Sequence, residues 1–171
     1  MINDLVDNRG GYTLIELIVV VAVMSMVLFF TVPRFQKTVF VSDTKQLSQW
    51  LIVNVKALKE RAVRDQKNYR LHINMTDSLL WITHDEMSEE AADEAQRGAY
   101  QLPSGVKVLD VEYPGQFRVD SGSAVIRFYK KGYSERALIH VADEDDNRVS
   151  YHIEPFLSRI GITPDDVGFE G

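Results

Sequence analysis

From Leu17 to Val32 the chain reads LIVVVAVMSMVLFFTV, sixteen residues without a charge, and only Ser25 and Thr31 interrupt its apolar character. Counted from Tyr12 the stretch has 21 residues, about 32 Å of helix at ~1.5 Å per residue. A bilayer core is about 30 Å thick, so the stretch is long enough to span one. A helix buried in a globular core is shorter and carries a polar stripe, which this run lacks. A cleaved secretory signal is also a poor fit. Asp4, Asp7 and a single Arg9 precede the run, and no small-residue cleavage site follows Thr31-Val32-Pro33-Arg34. The run predicts a retained membrane anchor.

After Pro33 the period changes. Phe40, Thr44, Leu47, Leu51, Val55, Leu58 and Ala62 recur every three or four residues, the stripe of an amphipathic helix. Beyond it the pattern alternates, as in half-buried strands. Tyr69–Asn74 and Leu79–His84 flank the turn-rich Met75-Thr76-Asp77-Ser78. Gly105–Glu112 reads as another strand, closed by Pro114-Gly115. Ala124–Tyr129 follows, then a turn at Lys130-Lys131-Gly132. The last hairpin pairs Ala137–Ala142 with Arg148–Glu154. Centred on Asp146, it sets Val141 against Tyr151, Ile139 against Ile153 and His140 against His152. A long N-terminal helix packed on an antiparallel sheet is an α+β architecture.

Composition narrows the chemistry. With 171 residues, 45% hydrophobic and 26% charged, the chain supports one packed domain and is too apolar for a disordered tail. The absence of cysteine excludes disulfides, thiolate metal sites and cysteine nucleophiles. The formal charge of −6 is unevenly spread: residues 34–70 carry a net +6 and residues 71–171 a net −10. A basic stem and an acidic head are the solvated faces of an ordinary helix and sheet or, on a sharper reading, suit electrostatic matching between stems and heads of neighbouring copies. An acidic head does not suit a nucleic-acid binder.

No G-x-S-x-G, H-E-x-x-H or P-loop is present, and Asp120-Ser121-Gly122-Ser123 reads as a plain loop. His140 and His152 read as a surface pair with no third ligand nearby in sequence. The acidic run Asp85, Glu86, Glu89, Glu90, Asp93 and Glu94, and the run Asp143–Asp146, lack the spaced ligands and glycine of a calcium loop. Both read as solvated loops.

The segment before the apolar run carries more information. Gly10-Gly11-Tyr12-Thr13-Leu14-Ile15-Glu16-Leu17 resembles the processing motif of type IV pilins and type II secretion pseudopilins. The resemblance implies a cut after Gly11 on the cytoplasmic side and methylation of the new N-terminus at Tyr12. It also implies assembly roles for Thr13, for Glu16 at mature position 5 and for Pro33 at mature position 22. The family prefers Phe where Tyr12 stands, and its leader is usually basic, whereas residues 1–11 carry a net −1. Positive-inside counting alone, with Arg9 before the anchor and Arg34, Lys37 and Lys45 after it, would set the head in the cytoplasm. The processing motif has meaning only if the leader faces the cytoplasmic peptidase, and it overrides the count.

The implied organisation is a leader over 1–11, a transmembrane helix over 12–33, an amphipathic periplasmic helix over 34–66 and a β-rich head over 67–171. Leu102-Pro103-Ser104-Gly105-Val106 and Phe128-Tyr129-Lys130-Lys131-Gly132-Tyr133-Ser134 are similar to segments of H-type minor pseudopilins (the GspH/FimT-like group). That likeness implies a non-enzymatic pseudopilus subunit of type II secretion, single-pass in the inner membrane with its head in the periplasm, without cofactor or metal. Its partners would be other pilin or pseudopilin subunits, the prepilin peptidase/methyltransferase, the inner-membrane assembly platform and lipid, with no nucleic acid. The alternative is a minor type IV pilin serving pilus assembly or DNA uptake.

Physics gives Glu16 a role independently of the resemblance. A carboxylate within an apolar membrane helix costs about 3 kcal/mol and needs a function. Once Tyr12 is the N-terminus, its amine stands one helical turn from Glu16, and a neighbour's amine can serve equally well.

Overall fold

The computed structural model of the chain describes residues 14–39, 42–115, 118–164 and 168–169; side chains of residues 27–39 and 42–43 lie outside that description. The chain divides into two compact units, Met1–Val41 and Ser42–Gly171. The first contains helix α1 (Leu14–Val39), which continues through Pro33. A proline inside a helix withholds one backbone N–H.

The second unit opens with α2 (Ser42–Asp65). The stripe expected from the sequence is its buried face: Thr44, Leu47, Leu51, Val55, Leu58 and Ala62 are all buried. Phe40, the first member of that stripe, lies outside the described residues. Five further positions on the helix are occupied by Lys or Arg, and only Lys59 among them is buried.

The strands are β1 (Tyr69–Asn74), β2 (Leu79–His84), β3 (Tyr100–Gln101), β4 (Lys107–Glu112), β5 (Ser123–Phe128), β6 (Ala137–Ala142), β7 (Arg148–Ile153) and β8 (Gly161–Pro164). They form two antiparallel sheets in place of the single one expected, ordered β3-β2-β1-β5 and β4-β6-β7-β8. The hairpin β1–β2 pairs Leu71 with Ile82 and Ile73 with Leu80, turning at Met75–Ser78 as the sequence predicts. In β4 a bulge falls between Val108 and Asp110. One extra residue there lets Val108 and Val111, three apart, both enter the core beside Val141 and Ile139. The stripe of α2 joins Leu71, Ile73, Ile126 and Phe128 of the first sheet and Ile139, Val141, Tyr151 and Ile153 of the second in one apolar cluster. Trp50 of α2 stacks on Tyr100 of β3 at 4.8 Å.

Three further sequence expectations are corrected. The hairpin β6–β7 pairs Val141 with Val149, Ile139 with Tyr151 and His140 with Ser150, so its centre is Asp145, not Asp146. The Asp143 carboxylate accepts hydrogen bonds from the backbone N–H groups of Asp145 and Asn147, and Asp146 takes a left-handed φ of 58°. That turn, and not the apolar alternation, sets the register. Second, His140 and His152 are not a surface pair. His140 is 1% exposed, because both faces of the central strand β6 are covered. Third, the acidic run after Asp85 is not all loop. Its latter part is helix α3 (Glu89–Arg97), capped by Ser88, whose Oγ accepts from Ala91 N at 3.2 Å. Glu89 and Glu90 sit in its first turn and Arg97 in its last, the charge order that a helix dipole favours.

Candidate functional site

The assembly residues expected from the sequence belong to the first unit. Gly11, Tyr12 and Thr13 lie outside the described residues, as do side-chain details of Pro33. Glu16 stands in the first turn of α1, where the helix dipole favours a carboxylate. From Leu14 to Met26 every side chain is exposed, and all but Glu16 and Ser25 are apolar. Ser25 satisfies its hydroxyl within the helix, donating to Val21 O at 2.8 Å. Such a surface presents one charge and no unpaired hydroxyl to its surroundings. Among the described residues no helix is long and apolar enough to cross a membrane; those side chains end at Met26, and residues 27–32 of the apolar run lie outside them.

On the second unit several polar groups are joined in networks. His140 Nδ1 lies 2.8 Å from Ser150 Oγ, and its Nε2 lies 3.7 Å from Asp110 and 3.6 Å from Glu112. Arg118 reaches across the same face, 3.1 Å from Glu112 and 3.7 Å from Asp110. Glu112 also accepts from the backbone N–H of Phe169, whose ring lies 4.6 Å below the Arg136 guanidinium. The group closes the outer face of the second sheet with charges in mutual contact. His152 hydrogen-bonds Thr163 at 3.1 Å, and burial holds its pKa below the usual histidine range. Among the described residues no group of three or more His, Asp or Glu side chains is arranged to hold a metal ion.

Sequence reasoning counted Lys59 as one of many stem cations, and the structure gives it a separate position. It is 7% exposed, and its Nζ donates to the carbonyls of Glu154, Pro155 and Leu157. Desolvation lowers its pKa, with Glu154 opposing the shift. The acceptors are backbone atoms, so no residue pattern announces them.

A family model described as the prokaryotic N-terminal methylation motif matches residues 7–32. No curated protein matches the chain. Two structures of the minor pseudopilin EpsH from the type II secretion system of Vibrio cholerae are similar to it. One is 12% identical with a TM-score of 0.51, over 74% of this chain and 97% of that one. The other is 11% identical with a TM-score of 0.49, over 72% of this chain and 98% of that one. The first likeness establishes the fold: a pilin-like α+β arrangement of N-terminal helix and antiparallel sheets. The chain therefore carries the N-terminal methylation motif of type IV pilins on a pseudopilin-like fold.

Proposed function

We propose that this chain is a minor pseudopilin, a structural subunit of a type II secretion pseudopilus that helps export folded proteins across the outer membrane. The observation that carries the reading is the methylation motif over residues 7–32 running directly into a helix whose described surface is apolar except for Glu16 and Ser25. On this reading the peptidase removes residues 1–11 and methylates Tyr12. Residues 12–33 anchor the protein in the inner membrane, residues 34–66 continue as a periplasmic stem, and 67–171 form the periplasmic head. Glu16 then pairs with a Tyr12 amine, its own or a neighbour's. A buried carboxylate without a counter-charge is costly, so pairing across subunits favours the assembled state over a lone helix in lipid. The head does no chemistry; its polar clusters hold the sheets and α2 together.

The test is intact-mass measurement of the membrane-extracted protein. A chain that begins at Tyr12 and carries one methyl group is expected. Gly11→Leu should abolish the cut, because a side chain at that position blocks close approach of the backbone. A mature chain beginning at Met1, or beyond Pro33, removes the basis of the proposal.

A further inference from the structure

Three segments meet at the C-terminal end of α2: the helix itself, the Tyr129–Tyr133 turn and the loop from Glu154 to Ile160. Between them lies an open groove of about 380 Å³, lined by Val63, Arg64, Gly132, Phe156 and Ser158, with Lys59 and Glu60 beneath. Phe156 is 81% exposed, and Leu157 and Val63 are about half exposed. Exposed aromatic and aliphatic groups gathered at one place mark interaction surfaces on soluble domains. These are held in position and do not hang loosely. The Lys59 ammonium grips the carbonyls on both sides of Phe156, and the Tyr133 ring lies 6.1 Å from the Phe156 ring. Tyr133 in turn stacks on Tyr129 at 4.7 Å. Gly132 has φ +90°, and a Cβ there would approach Val63 to 3.4 Å, so the turn closes over the helix.

The charge around this groove runs against the charge of the head. Arg64 and the Lys59 ammonium belong to its lining, the exposed Lys130 and Lys131 precede Gly132, and the exposed Arg159 follows Ser158. Glu60 is the one carboxylate in that lining, and it faces Lys56 at 3.9 Å. Lys59 and Arg64 belong to the basic stretch 34–70, and Lys130, Lys131 and Arg159 carry that charge onto the otherwise acidic residues 71–171, around an apolar floor.

We propose that this groove docks an acidic segment of another polypeptide, one that seats a single aromatic or aliphatic side chain against Phe156; the proposal rests on the assembly role argued above. Basic rims steer acidic partners and fix their register, while the apolar centre supplies the attraction. A membrane surface fits the same chemistry less well, because a concave groove of about 380 Å³ admits a single side chain and not a flat bilayer face. A second copy of the chain also fits less well. Among its described acidic segments, Asp143–Asp146 contains no large apolar residue, the run Asp85–Glu94 offers only the part-buried Met87, and Phe169 beside the acidic C-terminus is engaged by Arg136 of its own chain.

The mature protein in phosphatidylcholine nanodiscs, titrated into a labelled EDFEDL peptide, tests this by fluorescence anisotropy. Binding is expected, and it should weaken by about tenfold or more in Phe156→Ser and in the double variant Lys130→Glu, Lys131→Glu. Both variants alter exposed positions, and an unchanged thermal melt verifies their fold. Peptides EDSEDS and KKFKKL should bind at least about tenfold more weakly. Binding of EDSEDS as tight as that of EDFEDL, or no effect of Phe156→Ser, overturns the proposal. So does Phe156-dependent capture by phosphatidylglycerol vesicles without peptide binding, which assigns the groove to lipid. Phe156-dependent self-association without peptide binding assigns it to a second copy and overturns the proposal equally. None of these results bears on the mass of the mature N-terminus, so the groove and the processing reading fail separately.

Discussion

Tyr151, fully buried on β7, shares a 2.7 Å hydrogen bond with Ser48 of α2, and its hydroxyl also reaches Thr44 O at 3.3 Å. The pair ties the stem helix to the second sheet through groups that water cannot replace. Tyr151→Phe keeps the ring packing and takes one partner from the Ser48 hydroxyl, which still donates to Thr44 O at 2.7 Å. It should cost about 1 kcal/mol and lower the melting midpoint by roughly 2–4 °C. Ser48→Ala should cost a similar amount, and the double variant little more than either alone. Fully additive losses in calorimetry would show that the two hydroxyls act independently.

Lys59 replaced by Met keeps the length of the side chain and removes the donor. The carbonyls of Glu154, Pro155 and Leu157 then lose a shared partner. A destabilisation of about 1–3 kcal/mol is expected, as for buried acceptors left unsatisfied. Amide exchange should quicken between Glu154 and Ile160 and stay unchanged in the β1–β2 hairpin. Uniform quickening would mean that Lys59 supports the whole unit and not that loop.

Acidification should weaken the fold through His72. The ring stacks on Trp81 at 4.9 Å and bonds Thr83 Oγ1 at 2.8 Å. Burial, then repulsion from Arg70, holds its pKa below the usual value of 6.5. His152 is lowered in the same direction, again chiefly by burial. An unfolded chain takes up protons near pH 6.5 while the folded one resists. Stability contributed by these groups is therefore complete above pH 6.5 and is lost as pH falls toward their folded values. Thermal melts should decline between pH 7.5 and 5.5, and His72→Gln should flatten the decline. An unchanged pH slope in that variant would clear His72 of the effect.

Glu16→Leu separates a tether from an assembly element. A tether should insert better without the charge and lose no function. An assembly helix should insert normally but cross-link less with neighbouring anchors, because the partner of a Tyr12 amine is gone. The second outcome is expected. Equal cross-linking together with unchanged secretion would remove the assembly role of Glu16.

DNA should not bind appreciably to the mature protein at physiological salt, since residues 71–171 carry a net −10. A mobility shift that weakens steeply with salt would favour the uptake pilin.

How far the sequence speaks depends on where each structural decision is made. The α2 stripe is legible because one helix face must be apolar, and Leu47, Leu51, Val55 and Leu58 satisfy that rule without help from elsewhere. The β6–β7 register is legible only modulo two. Any even slip keeps Ile139 and Val141 on the core face, and the Asp143 turn makes the choice locally. His140 alternates as an outward residue should. It is buried because Arg118 and Phe169, distant in sequence, reach the network on that face. Alternation does not report what covers a sheet. The N-terminal motif shows the opposite case: it is entirely local, and a family model matches it over residues 7–32; the roles proposed for Gly11 and Tyr12 follow from it.

The margins of the two sheets carry a consequence for polymerisation. Strand β3 has two residues, and β8 has four and ends in Pro164, which has no N–H to donate. Beyond β4 lies the bridge from Val111 to Val119, and beyond β5 the bridge from Phe128 to Ser134. Among the described residues each border is thus short, proline-terminated or partly occupied, devices that hinder strand-by-strand growth. A head built this way can be crowded beside its neighbours without zipping into amyloid. On the pseudopilin reading, a fibre that includes it would be joined through helices and side chains, and so could be taken apart again.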